Sequence, residues 1–432
     1  MSNEVIGIIG LVVMLTLLFL RMWIGLAMAL IGFLGCAYLV GIDKALNVLG
    51  TVPFDYIGIY SFAAVPTFLL IGSIIYNTGL ATDLFKSVYT WMGELRGGLA
   101  IASTLAAALL GVVTDSLVAV TTLGKAAVPE MRKYRYHDTL STSSIIAGAS
   151  LASLIPPSVG FILYGILTEQ SVGKLFIAAI IPGILLTVLI VGVIFTWARV
   201  KPDMAPAGPR TSFGEKISSL KYTWAVVLLI ILIIAGIYAG IFTPTEAGGF
   251  GAFLAIIIAV VSRRLTIKIL LDSLMETAQV TAMIVILMMG AFIFMKFLAL
   301  SQITFAIGDA INNLQVSKYL IFAIIVLIYI LLGMFTEIVS SIILTMPIFY
   351  PVIIALGFDP TWFGVIIVIV IEIGFMSPPI GMNVFVLSGI TGIPVGTIFR
   401  GVWQFVAIIL VCIAIMTIFP EIITFLPNTM NR

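Results

Sequence analysis

Apolar runs of roughly 20 residues recur from Val5 to Pro420, and nothing else in the chain limits its fold so strongly. A helix of about 20 residues crosses the roughly 30 Å hydrocarbon core of a bilayer. Lipid offers no partner to an exposed peptide group, so the spanning elements must satisfy their own backbone. With 62% hydrophobic and only 9% charged residues among 432, against about a quarter charged in soluble domains, the chain reads as an all-α polytopic membrane protein. No stretch is left for a soluble domain, and the longest polar segment, residues 199–221, reads as a linker. The first run begins at Val5 with no basic segment before it and no clear cleavage site, so it reads as a retained span and not a signal peptide.

The runs place spans near 5–20, 22–41, 63–82, 138–170, 175–198, 223–241, 246–262, 273–299, 361–391 and 396–420. Regions 97–131 and 319–356 are apolar but interrupted at VVTDS (112–116) and MFTEI (334–338). Halves of about 14 residues rise only about 21 Å, too short to cross, so each region is expected to be a re-entrant helical hairpin. Residues 83–96 and 263–274 mix apolar, aromatic and charged side chains and suit helices lying in the interface. With the N-terminus outside, 15 of the 21 Lys and Arg fall in inner loops, as the positive-inside rule requires. That orientation opens the first hairpin to the cytoplasm and the second to the exterior.

Shifting the chain by 222 residues aligns its breaks. Gly111, Thr114 and Asp115 fall on Gly333, Thr336 and Glu337, Pro129 falls on Pro351, and Pro156-Pro157 falls on Pro378-Pro379. Opposite hairpin orientations make this an inverted-topology repeat. Pro156, Pro157, Pro378 and Pro379 remove backbone donors and push their predecessors out of the α region, so each half carries a broken helix. Broken backbone is tolerated at membrane depth only where protein buries it or a cavity is lined.

The restarting helices, expected near Ser116, Ser158, Ile338 and Ile380, would aim four positive dipole ends at one cavity, which suits an anion. Freed carbonyls and Ser or Thr hydroxyls suit a hard cation such as sodium. Thr114, Asp115 and Ser116 serve equally well as N-caps. Asp115 and Glu337 are costly at such depth and mark cation or proton coupling or stabilisation of the tips. Glu246 and Glu372 also read as deep, with structural pairing at least as good an account. No arginine reaches the midplane, so helix ends, hydroxyls and Asn383 are left to hold an anion.

Other chemistry finds little support. Cys36 and Cys412 lie within apolar spans, His137 reads as a solvated loop residue, and the zinc-protease HExxH and the P-loop are absent. With no acid–base or nucleophile constellation, the chain is not expected to be an enzyme, and nothing points to nucleic acid.

The strings RGGLAIASTLAAALLGVVTDS, LIPPSVGFILYGILTEQSVGKLFIAAIIPGILL, FTPTEAGGFGA, LTMPIFYPVIIALGFDPTWFGV and EIGFMSPPIGMNVFVLSGI resemble the large membrane subunit (DctM-like) of the tripartite ATP-independent periplasmic (TRAP) transporters, end to end. The resemblance implies a sodium-coupled importer of organic acids in the bacterial inner membrane. A periplasmic binding protein would deliver the anion to this subunit and a separate small four-helix subunit. It also implies an elevator in which residues 97–170 and 319–391 form the moving transport domain, against scaffold segments 1–96, 171–318 and 392–432. Family sodium sites carry over to Thr114, Asp115, Ser116 and the Ser153–Ser158 break, and to Thr336, Glu337, Ser340 and the Ser377–Gly381 break. Family members often have a small-residue tip resembling SGSS where this chain has Thr114-Asp115-Ser116-Leu117. The nearest alternative is a stand-alone sodium/dicarboxylate symporter that needs no binding protein.

Overall fold

The computed structural model describes residues 2–113, 116–208, 211–221, 223–304, 306 and 316–430. Thr114 and Asp115, two of the sequence-derived site residues, lie outside them. Among the described residues the secondary structure is helical, with one isolated bridge between Arg96 and Ala207. Among the described residues six helical segments are long and apolar enough to cross a membrane.

The first half runs α1 (Asn3–Phe19), α2 (Ile24–Val40), α3 (Ile42–Ile57), α4 (Ala64–Asn77), α5 (Leu80–Met92), α6 (Gly98–Val113), α7 (Ser116–Lys133), α8 (Asp138–Ala149), α9 (Val159–Thr168), α10 (Val172–Ala178) and α11 (Ile180–Val200). After α12 (Phe213–Leu220) the second half runs α13 (Trp224–Tyr238), α14 (Pro244–Val261), α15 (Ile267–Leu300), α16 (Lys318–Gly333), α17 (Ile338–Ala355), α18 (Pro360–Met376), α19 (Met382–Thr391), α20 (Val395–Ile418) and α21 (Glu421–Thr429).

Moved by 222 residues, α7 becomes 338–355, the bounds of α17, and α9 becomes 381–390, one residue from α19. Packing repeats as well: α6 lies on α8 as α16 lies on α18, and α1 on α2 as α13 on α14. Gly111 abuts Ala152 so closely that a Cβ on Gly111 would sit 2.0 Å from the Ala152 Cβ. The same shift converts that pair into Gly333 and Gly374, where a Cβ on Gly374 would meet the Gly333 backbone at 2.6 Å. Both approaches are therefore close, Gly111 onto the Ala152 methyl in the first half and backbone on backbone in the second, the small-residue approach that membrane helices favour. The short helices after the breaks cross between halves: α9 packs on α17 and α19 on α7. At the centre, α18 is buried along its length from Trp362 to Met376, as a helix apolar all round should be.

Several boundaries differ from the sequence reading. Residues 263–274 do not form a separate interfacial helix; from Ile267 onward they are the start of the 34-residue α15. A helix has no reason to stop where the lipid does, because its hydrogen bonds continue into water. The last restart comes at Met382 and not Ile380, because Gly381 takes φ +54° as the N-cap residue. Helices α3 and α21 carry no long apolar run and escaped notice. Glu246 is not deep: it is exposed and completes a capping box with Thr243 at the start of α14.

The linker is docked, not loose. Ser212 and Glu215 form a capping box that starts α12. Ser87 Oγ donates to the Ser219 carbonyl at 2.7 Å, Trp91 Nε1 to Lys216 at 3.0 Å, and Thr211 Oγ1 to Thr90 at 2.8 Å. Lys216 pairs with Glu94. Backbone bonds from Gly208 to Gly93 and from Gly97 to Ala205 extend the strap past the end of α5.

Candidate functional site

Each half breaks at its prolines. Helix α8 ends at Ala149 and α9 starts at Val159, and α18 ends at Met376 before α19 starts at Met382. The Pro156–Pro157 and Pro378–Pro379 peptide bonds are both cis. Ser158 is the N-cap residue of α9 and Glu337 that of α17, yet neither side chain makes a capping hydrogen bond. Capping therefore does not account for the Glu337 carboxylate. At that tip Thr336 Oγ1 pairs with Ser341 Oγ at 2.7 Å, and Ser340 Oγ donates to Glu337 Oε1 at 3.3 Å.

The first break and the two hairpins, with α4 and α15, line a cavity of about 430 Å³. The first break supplies Ala152, Ser153, Pro157, Ser158, Val159 and Gly160, the second hairpin Glu337, Ile338 and Val339, and the first hairpin Gly111 and Val118. The rest of the lining comes mainly from α4 and α15, with Ser73, Tyr76, Glu276 and Thr277. The first break is thus set between both hairpin tips. Pro156, Ser116, Thr336, Ser340, Ser377, Pro378, Pro379, Gly381 and Asn383 do not line it.

Ser116 and Asn383 stand out by their chemistry. The Ser116 hydroxyl and both polar atoms of the Asn383 side chain are buried without a hydrogen-bond partner among the described residues. They open α7 and α19, the crossing pair of helices. An unsatisfied buried polar group is expensive, and two hydroxyl or amide oxygens at helix starts are the hard donors a sodium ion takes. Ser377, also buried, ends α18 beside this restart.

Two features were missed or undervalued in the sequence. Glu276 Oε2 accepts from Ser73 Oγ at 2.6 Å and Asn77 Nδ2 at 3.0 Å, and Asn77 also reaches Ser273 Oγ at 3.1 Å. The readable signal was polar residues at helical spacing on apolar helices, Ser73 with Asn77 and Ser273 with Glu276 and Thr277. Glu372 is fully buried, and its Oε1 accepts from Ser153 Oγ at 2.5 Å. His137 is exposed and caps α8, its Nδ1 accepting from Thr139 N–H at 3.3 Å.

An all-helical bundle whose halves carry matched breaks, with a cavity at the first break and both hairpins, has the build of a membrane transport protein. The family model described as the tripartite ATP-independent periplasmic transporter, DctM component, matches residues 11–422, and the chain belongs to that family. It is 35% identical over 371 residues to the C4-dicarboxylate TRAP transporter large permease protein DctM of Pseudomonas aeruginosa, covering 85% of this chain and 86% of that one. It is 29% identical over 417 residues to the sialic acid TRAP transporter large permease protein SiaM of Vibrio cholerae, covering 96% of each. Among solved structures, the YdaH transporter of Alcanivorax borkumensis shares the fold, with a TM-score of 0.67 at 15% identity over 88% of this chain and 90% of that one. The chain is a large permease subunit and not an enzyme.

Proposed function

We propose that this subunit imports a small organic anion, a carboxylate or sulfonate, received from a periplasmic binding protein and driven by sodium. The observation that carries the reading is the cavity of about 430 Å³ held between a broken helix, two hairpin tips and the α4–α15 wall. The two relatives named above are described as carriers of C4-dicarboxylates and sialic acid, both organic acids.

In this reading the first turns of α9 and α17 orient the anion by peptide N–H groups and dipole. Ser116 Oγ and Asn383 Oδ1, with Thr336, Glu337 and Ser340 at the other tip, would hold sodium. The ion contributes positive charge beside the ligand and the free energy of its gradient. Hairpins and broken helices, residues 97–170 and 319–391, move as an elevator against the scaffold. A separate small subunit completes the membrane unit, and the N-terminus faces the periplasm of the bacterial inner membrane.

Uptake by liposomes containing this chain and its small subunit, with a candidate acid, an inward sodium gradient and the binding protein present or withheld, tests the reading. Uptake that requires both supports it. Uptake indifferent to the binding protein points to a stand-alone symporter, and uptake indifferent to sodium removes the coupling.

A further inference from the structure

One buried charged pair lies outside the cavity lining. Asp83, in the first turn of α5, is buried, and its Oδ2 is 2.5 Å from Nη2 of Arg264. Arg264 belongs to the turn between α14 and α15. Its N–H donates to the Ala259 carbonyl at 3.0 Å, and that of Arg263 donates to Val260 at 2.9 Å. These are the two bonds of a Schellman close, so the Arg264 backbone is fixed to α14. The same guanidinium reaches the corner between α4 and α5: a Cβ on Gly79, the N-cap residue of α5, would lie 4.0 Å from Arg264 Nη1. A cation beside the positive end of a helix is unfavourable, and the Asp83 carboxylate offsets that.

The pair spans a mechanical boundary. On one side α4 packs on α14 and α15, and Asn77, the last residue of α4, donates to Ser273 and Glu276 of α15. On the other, α5 packs on α6, the first arm of the first hairpin. Between them stands Gly79, with φ of +71°. Asp83 lies about 6 Å along the helix from that corner, so a swing of α5 by about 30° there carries it about 3 Å. We propose that Asp83 and Arg264 form a latch on this corner, closed in this structure and opened whenever the first hairpin moves against α4. The proposal rests on the elevator of the transport reading above and names a contact that its motion must break. Breaking a buried pair ordinarily strands a charge. Here Lys86 Nζ, 3.9 Å from Asp83 Oδ1 on the same helix, travels with the carboxylate and keeps it answered, so the latch can reopen and reclose.

Asp83→Cys and Arg264→Cys, in a chain also carrying Cys36→Ala and Cys412→Ala, are bridged by a short bis-thiosulfonate in the large-and-small-subunit complex. Sodium-driven uptake of succinate, with the binding protein present, is then read in liposomes. Bridging should cut uptake at least about tenfold, and a reductant should restore it. Uptake that persists with the bridge complete means that the contact need not open, which overturns the latch and leaves the transport reading standing. No uptake by the unbridged wild type removes both. A second measurement needs no cysteine and decides where the double-cysteine chain does not assemble. Hydrogen exchange over α5 in the complex should quicken at least about threefold in Arg264→Gln and stay within about twofold of wild type in Arg264→Lys. Exchange unchanged in Arg264→Gln overturns the proposal, because the pair then does not hold the arm.

Discussion

Ser153 Oγ donates to Glu372 Oε1 across 2.5 Å, so the break of the first half is hydrogen-bonded to the central helix of the second. The two residues are 219 positions apart, and Ser153 also lines the cavity. The bond makes the shape of the binding wall depend on the opposite repeat. Ser153→Ala should lower stability by about 1–3 kcal/mol, the usual cost of withdrawing a donor from a buried charged or polar acceptor. Thermal unfolding of the purified protein reads this, and an unchanged midpoint would show that the bond contributes nothing net.

The crossings at Gly333 and Gly374 leave no room for a side chain. Each added Cβ would fall 2.5 or 2.6 Å from backbone atoms of the other helix, and backbone cannot move aside like a side chain. Gly333→Ala and Gly374→Ala should each destabilise by about 1–3 kcal/mol through overpacking. Gly389, in α19 with nothing within 4 Å of its added Cβ, is the control. Its alanine variant should match or exceed wild type in the same melt, since alanine favours helix.

Asn383 separates a structural amide from a ligand. Its side chain has no hydrogen-bond partner among the described residues, so Asn383→Leu should be neutral or stabilising in sodium-free buffer. The proposed site predicts that added sodium raises the wild-type melting temperature and that this rise disappears in the variant. A variant that keeps the full sodium shift would take Asn383 out of the cation site.

Glu337 is the N-cap residue of α17 but does not cap it through its side chain. Glu337→Gln should therefore leave the unfolding free energy within about 1 kcal/mol of wild type while reducing the proposed sodium-driven uptake at least about tenfold. Equal losses in both measurements would return Glu337 to a purely structural role.

On the strap, hydrogen bonds from the Ser212 backbone and hydroxyl hold the Glu215 carboxyl below its usual range. A folded-state value below the unfolded one means that this cap supports α12 above the ordinary glutamate pKa of about 4.3. Its support is lost as pH falls through the lower folded value. Rate-corrected hydrogen exchange over residues 213–220 should show protection held from neutral pH to about 5, declining below the ordinary value. Ser212→Ala should move the decline to higher pH.

Much of the architecture could be read from residues alone. The hairpin arms beginning at Ser116 and Ile338 and the paired breaks at Pro156-Pro157 and Pro378-Pro379 are where the apolar pattern placed them. They were legible because a break inside an apolar run is a local signal. Helix α3 was not, since amphipathic residues without a long apolar run look the same on an interface and in a loop. The Ser73–Asn77–Glu276 cluster was not either. Its members are ordinary polar residues until α4 and α15 are laid side by side, and sequence carries no direct record of which helices touch. The crossing of α9 onto α17 was hidden for the same reason.

The docked linker changes what kind of object α5 is. A lone helix of 13 residues, about 20 Å long, at the membrane surface would bend or fray. With Thr211, Lys216 and Ser219 bonded to it, α5 is splinted. The strap's backbone bonds hold Gly93 and Gly97 at one end, and compliance is left at the other, where Gly79 takes φ of +71°, a region that glycine occupies without steric cost. A displacement of the first hairpin relative to α4 would then be taken up as rotation at that one glycine joint, with α5 and its strap swinging as a lever of fixed length.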